Sequence, residues 1–270
     1  MSRPPAAAAS FDRFLARLEA GMAAPAPHAD GESASGSDLP DWLWQVVAVL
    51  YDGQHAAVSK DWARRLHGDL ERLGGAVPFA VVHDWHAHDV APMLAEASAR
   101  RGWSEEPQQA VRRLHTRALA GEQIDEAEWN AVLEPVLREA YHLAYAYADA
   151  FANAYAGAHE YAIGNDYGQE RAAEFAGTYA ELNTSANAAS FADSNGIASA
   201  AATAAAFAAA DAHGYAEACP FAHVQVYAHA CADQDRTAAQ QQRAAQDERL
   251  RTTYRRLAEG LADSLARAAS

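Results

Sequence analysis

The sequence predicts an all-α protein, a multi-helix bundle whose alanine-rich helices pack closely in the C-terminal half. Three observations carry this. Alanine, the strongest helix former, fills 71 of 270 positions and is densest in the second half. Apolar residues recur at helical spacing between Gly and Pro stops. The one stretch that alternates like a strand, Ala144 to Ala158, sorts its rings and its charges onto different sides of a helix.

That stretch decides the fold class. Read literally, AYAYADAFANAYAGA is a strand with one all-alanine face. Alanine is depleted in strands, and the run is longer than a usual strand. At about 100° per residue, Tyr141, Tyr145, Tyr147, Phe151 and Tyr155 fall in one arc, and Glu139, His142, Asp149, Asn153 and Glu160 in another. An aromatic core face with alanine shoulders follows. Small shoulders let helix axes approach closer than the usual 8–10 Å.

The elements follow in order. Residues 10–20 form a short amphipathic helix, with Phe11, Phe14, Leu15 and Leu18 on one face and Ser10 as its cap. Ala23 to Ser37 reads as a linker, so 1–38 form a mobile N-terminal arm ahead of an all-helical domain at 39–270. A subdivision into 39–121 and 122–270 is the alternative. Trp42 to Leu50 make an apolar helix ending at Asp52-Gly53, and Ser59 caps the next, which stops at Gly74-Gly75. Pro78 starts a third helix, which Pro92 is expected to bend or break. Ser104 and Pro107 open a fourth; Asp125 caps a fifth, which Pro135 is expected to interrupt.

Asp166 with Gln169 resembles a capping box for a helix to Leu182. On it Glu170, Glu174 and Glu181 share one face, and Phe175, Tyr179 and Leu182 the opposite one. From Asn183 to Tyr215 the only acidic or basic residues are Asp193 and Asp211, so this segment is expected to be buried on all sides, with a break at Asn195-Gly196. Pro220 starts a short helix. The last helix carries Leu250, Tyr254, Leu257, Leu261 and Leu265 along one seam.

The net charge of −15 argues against nucleic acid or an anionic membrane as partner. Arginine supplies every basic residue but Lys60, a bias of GC-rich, bacterial-type coding. Two cysteines, Cys219 and Cys231, make no disulfide framework and fit a reduced, cytoplasmic setting. No stretch is apolar enough for a signal peptide core or a membrane span.

Four constellations bear chemistry. His83 and His86, one turn apart within HDWHAHD, are spaced to chelate a metal. Glu139 and His142 form the Glu-x-x-His element that di-iron bundles use twice, but no second copy exists. His213, Cys219, His223, His229 and Cys231 are zinc-ligand types at spacings wider than known knuckles. A pocket lined by Tyr141, Tyr155, His159, Asp211 and His213 is expected if ionisable groups are buried among the alanine helices. The sequence names no reaction. It points first to a non-catalytic binding or assembly protein that self-associates or binds a protein partner. A small-molecule pocket and a metal-dependent bundle are the alternatives, with no cofactor required by the first two.

Overall fold

The computed structural model describes residues 6–21, 39–144, 147–232 and 240–270. The predicted linker at 23–37 lies outside them. The described residues form helices and turns and no strand. No helix among them is long and apolar enough to cross a membrane.

The first helix, α1 (Ala6–Ala20), begins before Ser10, which therefore caps nothing. Leu18 is buried, Phe11 and Phe14 pack on His67, and Arg17 stacks over Trp44 at 4.1 Å. The helix is thus seated on α2 (Asp41–Gly53) and α3 (Ala56–Arg72). Ser59 lies inside α3, buried, and is not its cap.

Pro92 does not break the third predicted helix. α4 (Ala80–Trp85) runs through a π-helical turn, His86–Val90, straight into α5 (Ala91–Arg100). Pro92 sits in the first turn of α5. The wider turn just before it relieves the clash of a proline ring with the preceding turn of an ordinary helix. α6 (Glu106–Leu119) follows, and α7 (Glu126–Ala144) is capped by Asp125, whose Oδ1 accepts from Glu128 N at 2.8 Å. α7 carries Pro135 within it uninterrupted.

The C-terminal half is a long antiparallel hairpin. α7 and α8 (Tyr147–Gly164) run one way, and α9 (Gln169–Ala209) returns beside both. The antiparallel pairing runs its whole length: Trp129 meets Phe207, Arg138 meets Asp193, and Tyr161 meets Phe175. α9 begins at Gly168, without the predicted side-chain cap; Asp166 instead adopts a positive φ of 59° in the turn. Nor does α9 break at Asn195-Gly196.

α9 is not buried on all sides, against expectation. Within the stretch from Asn183, Phe191 is 50% exposed and Ile197 46%, and Leu182 just before it 77%. From Ala172 to Ala204 a row of buried positions, Ala172, Ala176, Ala180, Thr184, Ala192, Gly196, Ala200 and Ala204, runs in steps of four or eight, and at the root Thr203, Ala206 and Phe207 are buried beside it. Each step of four advances the contact row by about 40°, so over the helix it nearly encircles the axis. A period above 3.6 winds right-handedly, and the partner helices wind with it. Small residues are therefore needed on every side of α9, each at its own height. A projection at fixed angles reads that as burial all round.

The body closes with α10 (Ala212–Glu217), α11 (Pro220–Ala232) and α12 (Gln240–Ala268). The predicted leucine seam of α12 is fully buried at Leu257, Leu261 and Leu265 and lies across α2, α3 and α4. Two indoles hold it. Trp85 Nε1 donates to Leu257 O at 3.0 Å, and Trp62 Nε1 to Ala258 O at 2.8 Å.

Candidate functional sites at the root and along the arm of the hairpin

The root of the hairpin is built on histidine. His83 comes from α4, His86 from the π-helical turn and His115 from α6, and all three are buried. Trp129 of α7 stacks on His83 at 5.7 Å, and Phe207 of α9 touches His83, His115 and Trp129 within 5.2 Å. His223 of α11, also buried, lies beside Tyr227.

The hydrogen bonds fix what these rings can do. His83 Nδ1 and His115 Nδ1 lie 2.9 Å apart, so one donates and the other accepts. His86 Nδ1 donates to Val82 O at 2.9 Å, which leaves its Nε2 as a bare acceptor. His115 Nε2 and His223 Nε2 are buried with no partner. Among the described residues no carboxylate bonds to any of the four, so none serves there as counter-ion to a proton taken up. Burial pushes His83, His86 and His223 down to about 4, and His115 well below its ordinary range. All four are neutral at pH 7.

A cavity of about 10 Å³ borders His86, Gln108 and Tyr227. That is room for about one water molecule. Gln108 Nε2 donates to Ser98 Oγ at 3.1 Å and to Glu139 Oε1 at 3.2 Å, while its buried Oε1 has no partner. A substrate pocket takes roughly 300 Å³ or more. The cluster is a core of neutral imidazoles, and His86 alone of the four borders the water-sized gap.

The structure distributes the other predicted site residues. Glu139 turns to Ser98 and Gln108, whereas His142 Nε2 meets Asp193 Oδ1 at 3.0 Å, so the Glu-x-x-His element does not converge. Among the described residues no three His, Cys, Asp or Glu side chains are grouped to hold a metal ion. Tyr141 is buried with its OH 3.0 Å from Ser199 Oγ. Tyr155 and His159 stack at 5.9 Å on α8. Asp211 is exposed and caps α10, accepting from His213 N at 2.9 Å.

The five residues expected to line one pocket are thus not brought together. His159 stands beside the start of α9 and Asp211 beyond its end, a separation of about 50 Å at 1.5 Å per residue. The antiparallel return carries α8 away from the body. His115 was missed in the sequence. Its signal was its place beside Val111 and Leu114 on the apolar face of α6.

The second feature is the arm. α8 packs on α9, without a comparable contact to any other described element. The inner face of this stretch is alanine: Ala158 and Ala162 against Ala172 and Ala176. Phe175, Tyr179 and Leu182 lie on another face of α9. Tyr161 and Tyr167 approach Phe175 at 6.2 and 5.7 Å, and Tyr179 stacks on it at 6.2 Å. This face and the rings beside it stand open: Tyr161 is 59% exposed, Tyr167 43% and Tyr179 41%. Of nine exposed large hydrophobic residues described, seven lie between Tyr161 and Ile197. The apolar surface is therefore concentrated on the hairpin, as at sites that meet a partner.

Comparison with protein families, with characterised proteins and with solved structures found no match. The class is set by architecture alone: an all-α protein in which a compact helical body carries a long alanine-packed hairpin.

Proposed function

We propose that this chain is a non-catalytic helical binding or assembly protein, with its binding surface on the hairpin. The open aromatic face of α9 carries the reading. The sequence places Phe175, Tyr179 and Leu182 on a face of α9 that α8 meets only through Tyr161 against Phe175, leaving Tyr179 and Leu182 exposed. Buried neutral histidines, with a gap no larger than a water beside His86, fit a structural root for the arm better than a reaction centre. The charge of −15 and the two free thiols fit a protein partner in a reduced cytoplasmic setting.

A photo-activated cross-linking residue at position 182, compared with one at the body-surface position of Trp103, tests this in cells producing the full chain. Cross-links to a discrete partner, or to a second copy, are expected from 182 and not from 103. Equal, diffuse labelling from both would remove the hairpin as the binding surface.

A further inference from the structure

We infer that the face formed by Phe175, Tyr179 and Leu182, with Tyr161 and Tyr167 beside it, seats a second copy of this chain, two hairpins packing together into a four-helix unit; this rests on the binding reading above. Three observations select a copy over a basic partner.

The first is where the charge lies. Glu170, Glu174 and Glu181 are exposed, but on α9 they are centred about 130° from the aromatic face. A cationic segment on the aromatic face would not meet them. Two like-charged copies joined through that face keep their acidic ridges apart.

The second is area. An aromatic side chain buries about 150–250 Å² when fully covered. The exposed fractions of Tyr161, Tyr167, Tyr179 and Leu182 then amount to about 400 Å² per copy. Two copies give about 800 Å² from these four alone, and the flanking Thr178 and Ala189 bring the total to about 1,000 Å², where specific interfaces begin. A self-complementary patch used twice is also the commonest arrangement among soluble oligomers.

The third is what the arm lacks. The buried contacts described between α8 and α9 are alanine, apart from Tyr161 on Phe175, while Tyr179 and Leu182 stand exposed. A second hairpin supplies the apolar layer that those side chains are patterned for.

The test is the solution mass of the full chain from micromolar to submillimolar concentration, by light scattering or sedimentation. A dimer of about 58 kDa is expected, twice the 28.9 kDa of one chain. Association should strengthen as salt screens the acidic arms, whereas a basic partner would be released by salt. Tyr179→Glu and Leu182→Glu should each weaken association by about tenfold or more, and Trp103→Ser should leave it unchanged. A photo-cross-linker at 182 in the purified chain should give a covalent dimer, which serves if a glutamate variant misfolds. A mass of 28.9 kDa at every concentration overturns the inference. So does a dimer indifferent to both glutamates with no cross-link at 182. If the chain is monomeric yet 182 captures a different protein in cells, the copy is wrong and the binding reading stands. If it captures nothing, both fall.

Discussion

Gly196 of α9 lies against the backbone of Arg138 on α7: a Cβ at Gly196 would stand 2.8 Å from Arg138 Cα and 3.0 Å from its N. Backbone atoms cannot swing aside as a flexible side chain does. Within a helix, Gly→Ala ordinarily stabilises by about 0.5–1 kcal/mol. Here overpacking outweighs that gain, and Gly196→Ala is expected to destabilise by about 1–3 kcal/mol. Gly68, inside α3 with nothing near its missing Cβ, is the control, and Gly68→Ala is expected to stabilise by about 0.5–1 kcal/mol. Urea denaturation of the two variants checks the pair. Equal signs would mean that α7 and α9 are not in backbone contact.

The same contact explains how much of the fold was legible. Alanine content, Gly and Pro stops and the leucine seam of α12 are local signals, and they mark the helix at 41–53 and the starts of those at Glu126 and Pro220 close to their true bounds, whereas the interruption read at Pro135 is absent. The path of α9 is not local. Its contact row advances by about 40° each step, so a fixed projection from Asn183 onward finds no face. The open face was visible as Phe175, Tyr179 and Leu182, but amphipathicity does not say whether the covering surface belongs to the same chain. The histidine cluster was half legible. His83 and His86 are one turn apart in sequence, while His115 and His223 reach them only through tertiary packing. Pro92 misled because its cost is removed by a π-helical turn that its own sequence does not announce.

The histidine root makes acid destabilising. In the unfolded chain a histidine takes up its proton near pH 6.5, whereas in the fold His83, His86 and His223 do so only at about 4, and burial likewise holds His115 well below its ordinary range. The unfolded state therefore binds more protons across that window. Stability is whole above 6.5, is lost as pH falls towards 4, and is lost no further through these three below that. For the fully buried His86 alone the loss is about 3 kcal/mol at the acid end, a large share of an ordinary domain's stability. Urea midpoints are expected to fall steeply between neutral pH and about pH 5. His223→Leu removes one such group with an unpartnered nitrogen, and its midpoint should fall less over the same range. A wild-type profile flat over that window would mean that the rings keep access to solvent.

Asp89 carries the opposite sign. It follows His88 in the π-helical turn, and its carboxylate lies where a Cβ on Gly260 of α12 would be. Its Oδ2 is buried without a partner. Burial raises its pKa, and the Arg267 charge opposes this only in part. The folded state thus holds this proton more tightly than the unfolded one, and stability falls as pH rises through the window above its ordinary 3.8. Asp89→Asn keeps the shape and removes the charge. Its melting temperature at pH 7 is expected to exceed that of the wild type, with the difference closing as pH falls through the carboxyl range. A variant less stable at pH 7 would show that the Arg267 attraction outweighs desolvation.

The arm is expected to open before the body. Each buried methyl contributes about 0.8 kcal/mol, so Ala158, Ala162, Ala172, Ala176 and Ala180 together contribute about 4 kcal/mol. In the body, Leu257, Leu261 and Leu265 each bury a full side chain worth about 1.5–3 kcal/mol, with Trp62 and Trp85 bonded to the same helix. Ordering each residue of α8 opposes its packing by about 1–2 kcal/mol of backbone entropy, and hydrogen bonds within one helix give only part of that back. Amides from Ala154 to Ala162 should therefore exchange with deuterium orders of magnitude faster than those from Leu257 to Leu265 in dilute solution. Raising the protein concentration should slow the first set and not the second if a second hairpin covers the arm. Exchange in α8 as slow as in α12 at high dilution would mean that alanine contacts alone hold the hairpin, and that its open face is not needed for its stability.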